Sequence, residues 1–254
     1  MGVIGGQLGV RMLNYASRNG TVGAFPDIAT AYLEKSKIEV LFGPGIWRDI
    51  RDKDVLDFGC GPGAEAVEIA ERGARRVIGL ELRQKWINAS IALAAARGVA
   101  DKCWFGKTWE EPVDVILSVD SFEHFADPAA ILRKMRSLLK PTGCVIASFG
   151  PTWYHPLGGH IYSVFPYAHL LFSDAALVRW RSLYKTDGAR TIEESGINRI
   201  TIRRFEKLVA ESPFKFAGLE IVPIRRLKSI ANRFTREFTT ATVRCRLVPR
   251  DAEA

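Results

Sequence analysis

A short apolar run, Val55-Leu56-Asp57-Phe58, passes directly into Gly59-Cys60-Gly61-Pro62-Gly63 and then into a helical pattern, and no other feature limits the fold so sharply. Glycine accepts backbone conformations closed to other residues and lets main chain approach a ligand closely. These glycines stand just where a helix N-terminus presents unpaired N–H groups, so a ligand carboxylate is well placed there. Over residues 64–72 the apolar side chains fall at 66, 67, 69 and 70, Glu65, Glu68 and Glu71 are left for solvent, and Gly73 supplies a C-terminal cap. The segment reads as strand, tight turn and helix.

The alternation continues. Val77-Ile78-Gly79-Leu80-Glu81 is a second strand and residues 85–97 a second helix ended by Gly98; residues 103–106 and 113–118 are strands three and four. Asp127-Pro128 starts a helix with an apolar stripe at Ile131, Leu132, Met135, Leu138 and Leu139, residues 140–143 stop it and turn the chain, and residues 144–149 form strand five. Repeated strand–helix units of this kind specify an α/β fold with a parallel sheet. Residues 150–196 break the pattern with Trp, Tyr, Phe, Pro and Gly and three of the four histidines, and read as an insertion over the C-terminal edge of the sheet. A helix over 200–210 and strands over 216–224 and 239–247 close the domain. The domain is therefore expected over 54–254, with residues 1–53 as a helical region near the site entrance and residues 1–9, rich in glycine, disordered.

Glu81 lies at the end of the second strand, where a carboxylate can accept hydrogen bonds from both ribose hydroxyls of a nucleoside. With the glycine turn it narrows the ligand to an adenosine type. Nicotinamide cofactors use a Gly-x-Gly-x-x-Gly spacing, whereas this chain has Gly-x-Gly-x-Gly with Asp57 two positions ahead; a nicotinamide oxidoreductase stays as an alternative.

Four landmarks in order resemble the class I methyltransferase family, in particular the small-molecule branch that includes the ubiquinone and menaquinone biosynthesis enzymes. They are Val55-Leu56-Asp57-Phe58-Gly59-Cys60-Gly61-Pro62-Gly63, then Glu81, then Ser118-Val119-Asp120-Ser121-Phe122-Glu123-His124-Phe125 with Asp127-Pro128, and finally Leu138-Leu139-Lys140-Pro141-Thr142-Gly143. The resemblance implies a three-layer, Rossmann-like, seven-stranded sheet, mostly parallel with an antiparallel last strand. It implies S-adenosyl-L-methionine as cofactor and S-adenosyl-L-homocysteine as product. The methionine part would sit near Gly59, Cys60, Gly61, Gly63 and Ser118, with its amino group by Asp57, the ribose on Glu81 and the adenine packed on Leu82. Relatives commonly place an Asp after the third strand for the adenine amino group. This chain has Gly106-Lys107-Thr108-Trp109 there, which leaves Thr108 or the Trp109 backbone as substitutes.

In methyl transfer the cofactor already carries the activated group, so catalysis can come largely from positioning the acceptor. For a hydroxyl acceptor, His155 and His160 in the insertion are the candidate bases. Asp120, Glu123 and His124 fall at i, i+3 and i+4, as a divalent-cation site on one helical face needs, and some ubiquinone-type O-methyltransferases carry a similar metal site; no metal is assigned here. The insertion aromatics Trp153, Tyr154, Tyr162, Phe165, Tyr167, Phe172 and Trp180 can line an acceptor pocket or form a lid with its own core, two compatible readings.

With 254 residues the chain can bury one substantial core. It has no run apolar enough for a membrane span and no basic-then-apolar leader, and its four scattered cysteines read as reduced thiols, so a cytoplasmic location is expected. Its net charge of +8 is concentrated between Arg199 and Arg250, with 13 Lys or Arg against 4 Asp or Glu. Such a patch attracts phosphates, acidic lipid or nucleic acid. The expected acceptor is a small or lipid-linked metabolite, anionic if the basic region holds it, with oxygen ranked first as the methylated atom. An RNA methyltransferase and a non-catalytic cofactor-binding module are the alternatives, although the fourth strand lacks the Asn/Asp-Pro-Pro-aromatic run frequent in enzymes acting on base amino groups.

Overall fold

The computed structural model describes residues 2–17 and 35–250. Among them, seven strands form one sheet in the order β3-β2-β1-β4-β5-β7-β6. They are β1 (Asp54–Phe58), β2 (Arg76–Leu80), β3 (Cys103–Gly106), β4 (Val113–Val119), β5 (Leu139–Phe149), β6 (Phe214–Pro223) and β7 (Thr240–Pro249). The first five are mutually parallel and β7 runs antiparallel to both β5 and β6. The connections run outward from β1 in one direction through β2 to β3, and from β4 in the other. The C-terminal ends of β1 and β4 therefore flank the crevice where open α/β sheets bind ligands.

Period-2 alternation sends neighbouring strand residues to opposite faces. On one face Val55, Val77, Val115, Leu117 and Ile146 pack with Ile38 and Leu41 of α2 (Lys37–Phe42), Ile46 and Ile50 of α3 (Ile46–Ile50), Ala66, Val67 and Ile69 of α4 (Ala64–Glu71), and Ile87 and Ala94 of α5 (Gln84–Ala96). On the other, Leu56, Ile78, Ile116 and Val145 meet Leu132 and Met135 of α6 (Pro128–Ser137) and Phe205 and Val209 of α9 (Ile202–Ala210). The helix starts follow their capping residues: Asp127 accepts from Ala130 N–H at 3.0 Å, and Thr201 from Arg204 N–H at 3.1 Å.

A third cluster lies off the sheet. Trp153, Tyr162, Phe172, Leu177, Trp180 and Ile192 of the insertion are buried together with Ala168 of α7 (Ala168–Leu171) and Leu13 of α1 (Gly6–Ala16), which packs on α8 (Asp174–Arg181). Two expectations are corrected here. Residues 2–9 are ordered: Ile4 pairs with the backbone at Leu171 and Ser173, a hydrogen-bonding role the glycine content of this stretch does not reveal. Residue 1 lies outside the described residues. Residues 140–143 do not leave the sheet; β5 begins at Leu139, opposite Val113, and absorbs them as an irregularity before Cys144 pairs with Val115. Lys140 is held there by Asp114 at 2.9 Å, and a side chain at Gly143 would strike the Asp114 carbonyl. No helix of the described residues is long and apolar enough to cross a membrane.

Candidate active site

The glycine turn is built by its backbone. Gly59, Gly61 and Gly63 all have positive φ (90°, 51° and 86°). Gly63 caps α4 from the left-handed region, and a Cβ there would lie 2.6 Å from Ser90 Oγ of α5, so the bend and the close α4–α5 approach both require glycine. Gly59 N–H and Cys60 N–H both donate to the Leu80 carbonyl at 3.0 Å, tying the turn to the end of β2. The Cys60 thiol is buried in the first core layer and its pKa is raised by that burial, so its side chain is a packing group.

Beneath the turn Asp57 is buried, and its Oδ2 has no hydrogen-bond partner. Burial and then the nearby Glu65 push its carboxyl well above the usual range, with Lys37 offsetting part of the effect. Lys37, at the start of α2, bridges Asp120 at 2.9 Å and Glu65 at 3.3 Å. Burial alone would lower its pKa, but these two carboxylates raise it above its ordinary value.

Glu81 lies just beyond β2, buried, and Arg83 occupies it: its Oε1 accepts from Arg83 N–H at 2.9 Å and Nε at 3.0 Å, and Oε2 from Nη2 at 3.1 Å. Burial would raise the carboxyl, but the hydrogen bonds from Arg83 outweigh it and hold it low. A carboxylate offers about four acceptor positions, so capacity remains on Oε2. The Arg83 side chain is 62% exposed and held by an ion pair of the weak, solvent-screened kind.

Gly59 and Glu81 share one cleft of about 650 Å³, lined by Phe58, Gly59, Glu81, Leu82, Arg83 and Lys107 on one side and by Asp120, Ser121, His124, Phe125 and Gly196 on the other; Asp57, Cys60, Gly61, Gly63 and Lys37 are not among its lining residues. Leu82 is 78% exposed within it. Ser118, which the resemblance placed by the methionine part, is buried and donates to the Phe58 carbonyl at 3.4 Å, bracing β1 against β4, while Ser121, for which no role was expected, lines the cleft. Thr108 and Trp109 are not among the lining residues. Trp109 packs at a tilt against Trp104, with ring centroids 5.1 Å apart, and donates its indole N–H to the Glu111 carbonyl, and Lys107 faces the cleft in their place.

The histidines separate in the same way. His155 Nδ1 accepts from Leu157 N–H at 2.9 Å within its own turn, and burial pushes its pKa down to about 4. His160 is half-buried, its Nε2 enclosed and unpartnered, and it packs edge-on against His124, with centroids 5.1 Å apart; desolvation and then His124 push it down to about 4. Only His124 reaches the cleft. Its Nδ1 lies 2.7 Å from the Gly196 carbonyl, an acceptor, which assigns the proton to Nδ1 and leaves Nε2 as the basic nitrogen. Asp120, Glu123 and His124 diverge, because the turn over Phe122–His124 is a 3₁₀ helix. Asp120 pairs with Lys37, Glu123 turns inward to accept from Gly150 N–H at 3.2 Å, and His124 goes to Gly196. Asn198 clamps this turn by donating to the Phe122 and Phe125 carbonyls at 2.6 and 2.8 Å. Asn198, Lys37 and Arg83 carry no local motif; only their partners mark them.

A groove of about 700 Å³ on the β5–β7 side is lined by charges that satisfy one another, Arg246 with Asp49 and Arg244 with Glu220. The insertion aromatics Trp153, Tyr162, Phe172 and Trp180 sit in the third core cluster and not in the cleft, the second of the two arrangements expected for them.

The family described as "Methyltransferase domain" matches residues 33–217. A ubiquinone biosynthesis O-methyltransferase from Neisseria meningitidis serogroup C is 36% identical over 107 residues, covering 39% of this chain and 45% of that protein. A ribosomal protein L11 methyltransferase from Glaesserella parasuis is 35% identical over 96 residues, covering 37% and 33%. The match thus spans less than half of each relative. Among solved structures, an S-adenosylmethionine dependent methyltransferase from Mesorhizobium loti superposes with a TM-score of 0.51 at 18% identity, covering 80% of this chain and 95% of that one. Geranyl diphosphate C-methyltransferase from Streptomyces coelicolor superposes at 0.53 and 14%, covering 78% and 71%. These two share the fold.

Proposed function

The chain belongs to the methyltransferase-domain family, and from that premise we propose that it transfers a methyl group from S-adenosylmethionine to an oxygen of a small or lipid-linked metabolite. One observation carries the reading: a single cleft joins the Gly59 turn and Glu81 to His124. The residues suit the cofactor. The unpartnered Asp57 Oδ2 under the turn suits an ammonium, which would bring its raised carboxyl back down. Glu81 has acceptor capacity for ribose hydroxyls once the exposed Arg83 swings aside, and Leu82 offers an uncovered apolar face for adenine. Lys107 has donors only, so the adenine amino group must find a backbone carbonyl.

When bound, S-adenosylmethionine would supply an activated methyl on a positive sulfonium, with the neutral thioether of S-adenosylhomocysteine as the leaving group. The acceptor O–H proton goes to His124 Nε2, which keeps its orientation through the Nδ1–H bond to Gly196, with the neutral His160 ring behind it. Ser121 and Phe125 border the acceptor side. The RNA alternative loses four of the 13 cations that motivated it, since Arg199, Arg236, Arg244 and Arg246 are engaged by Asp174 and Glu193, Glu206, Glu220 and Asp49.

Calorimetry with S-adenosylmethionine tests the reading. Binding is expected for the intact chain, and Glu81→Ala should weaken it by roughly 1.5–3 kcal/mol, the range for hydrogen bonds to a charged group. No binding of the cofactor or of S-adenosylhomocysteine by the intact chain removes the proposal.

A further inference from the structure

Between β6 and β7 the chain leaves the sheet over residues 224–239, a 3₁₀ turn (Arg225–Ile230) and the short α10 (Arg236–Thr239). It turns large apolar side chains to solvent: Phe234 is 78% exposed, Ile230 56% and Phe238 45%. Arg225, Arg226, Lys228 and Arg233 are interleaved with them, all exposed, and none meets an acidic side chain among the described residues. The one carboxylate of the segment is turned inward, where Glu237 accepts from Ile202 and Arg203 N–H at 3.0 and 2.9 Å and so caps α9. Among the described residues the outer face is therefore cationic and apolar without a compensating anion.

The exposure is built in. Asn232 Oδ1 accepts from Phe234 and Thr235 N–H, Thr235 Oγ1 donates to the Ile230 carbonyl at 2.7 Å, and Arg236 is held by Glu206. These bonds fix the backbone with Ile230 and Phe234 outward. Because β6 is antiparallel to β7, and β7 to β5, the end of β6 at Pro223 lies at the same sheet edge as Phe58 and Val119, where the cleft opens. Tyr154, just after β5, packs on Phe238 at 5.2 Å and links the two regions of that edge.

We propose that the β6–β7 segment docks the protein on an anionic lipid bilayer, with Phe234, Ile230 and Phe238 entering the headgroup boundary and Arg225, Arg226, Lys228 and Arg233 meeting lipid phosphates. Cations beside Phe and aliphatic groups on one face are what an interfacial segment needs. Each basic residue near an anionic surface multiplies partitioning roughly fivefold. Nucleic acid is the weaker match, since Ile230 and the half-buried Leu227 have no ring on which a base can stack. Docking in this way brings the cleft-bearing edge to the membrane and admits a lipid-linked acceptor. It does not depend on methyl transfer, because lipid binding is read separately from cofactor binding.

The test is co-sedimentation of the full chain with phosphatidylcholine vesicles, with or without phosphatidylglycerol as a third of the lipid. Binding is expected only to the anionic vesicles, falling as salt rises. The double variants Phe234→Ser with Ile230→Ser, and Arg225→Ser with Arg226→Ser, should each weaken it on the order of tenfold, while melting temperature and cofactor affinity stay as in the parent. Equal binding to both vesicle types, no binding to either, or variants that bind like the parent overturns the proposal. So does single-stranded RNA binding that the Phe234→Ser, Ile230→Ser variant retains while vesicle binding is absent, which reassigns the patch to nucleic acid.

Discussion

At the scale of single residues, function rests on which atoms remain free after folding. Of the histidines in and around the insertion, His155 is used by its own turn and His160 packs behind His124 outside the cleft, so the free basic nitrogen in the cleft is Nε2 of His124. His124→Ala should lower kcat by roughly a hundredfold or more with cofactor affinity retained, and His155→Ala should leave kcat unchanged; steady-state kinetics on an accepted substrate decides, and an unaltered kcat in His124→Ala would strip that residue of its role. Glu123 makes a pH prediction. Burial, then Asp120, raise its carboxyl to about 8, so the folded state holds a proton that the unfolded chain has released. Its stabilising contribution is complete below the ordinary carboxylate range and is lost as pH rises toward 8, at up to about 1.4 kcal/mol per pH unit. Glu123→Gln, which keeps an acceptor for Gly150 N–H, should flatten the fall in melting temperature between pH 5 and 8. A slope as steep as that of the parent would show that another group is responsible.

At the scale of elements, the strand–turn–helix after β1 is held by close approach. The left-handed conformation at Gly63 and the proximity of Ser90 act together, so Gly63→Ala carries both backbone strain and a steric conflict with α5. A loss of about 1–3 kcal/mol in denaturant unfolding is expected, part of it recovered by Ser90→Gly in the same chain. If the double variant gains nothing over Gly63→Ala, the α4–α5 contact is not what demands glycine. The 3₁₀ turn after β4 makes a complementary point. Its residues carry acidic and imidazole groups at helical spacing, but the tighter winding and the Asn198 clamp send them to three different partners.

At the scale of the whole molecule, the two core layers flanking the sheet are separate from the aromatic cluster of the insertion, to which α1 contributes Leu13. Leu13→Ala removes a fully buried side chain from that third cluster and should cost about 2–5 kcal/mol locally. Hydrogen exchange should then quicken across residues 150–197 and leave β1 and β4 protected. Uniform loss of protection would mean that the clusters unfold as one.

Sequence alone determined the sheet-and-helix order, the glycine turn and the cleft-edge position of Glu81. Each rests on local rules: alternation, helical period, caps, and glycine where φ is positive. The parallel alignment of β1 to β5 and the cap at Asp127 were legible for the same reason, whereas the cap at Thr201 and the burial of the insertion aromatics in their own cluster came from the structure. Tertiary structure decided what depends on partners distant in the chain. It closed Arg83 over Glu81, set Lys37 between Glu65 and Asp120, put Ser121 rather than Ser118 in the cleft, and made His124 the reachable imidazole. It also spent much of the C-terminal positive charge on internal pairs while leaving the β6–β7 segment bare, because charge composition counts side chains but only folding assigns them neighbours.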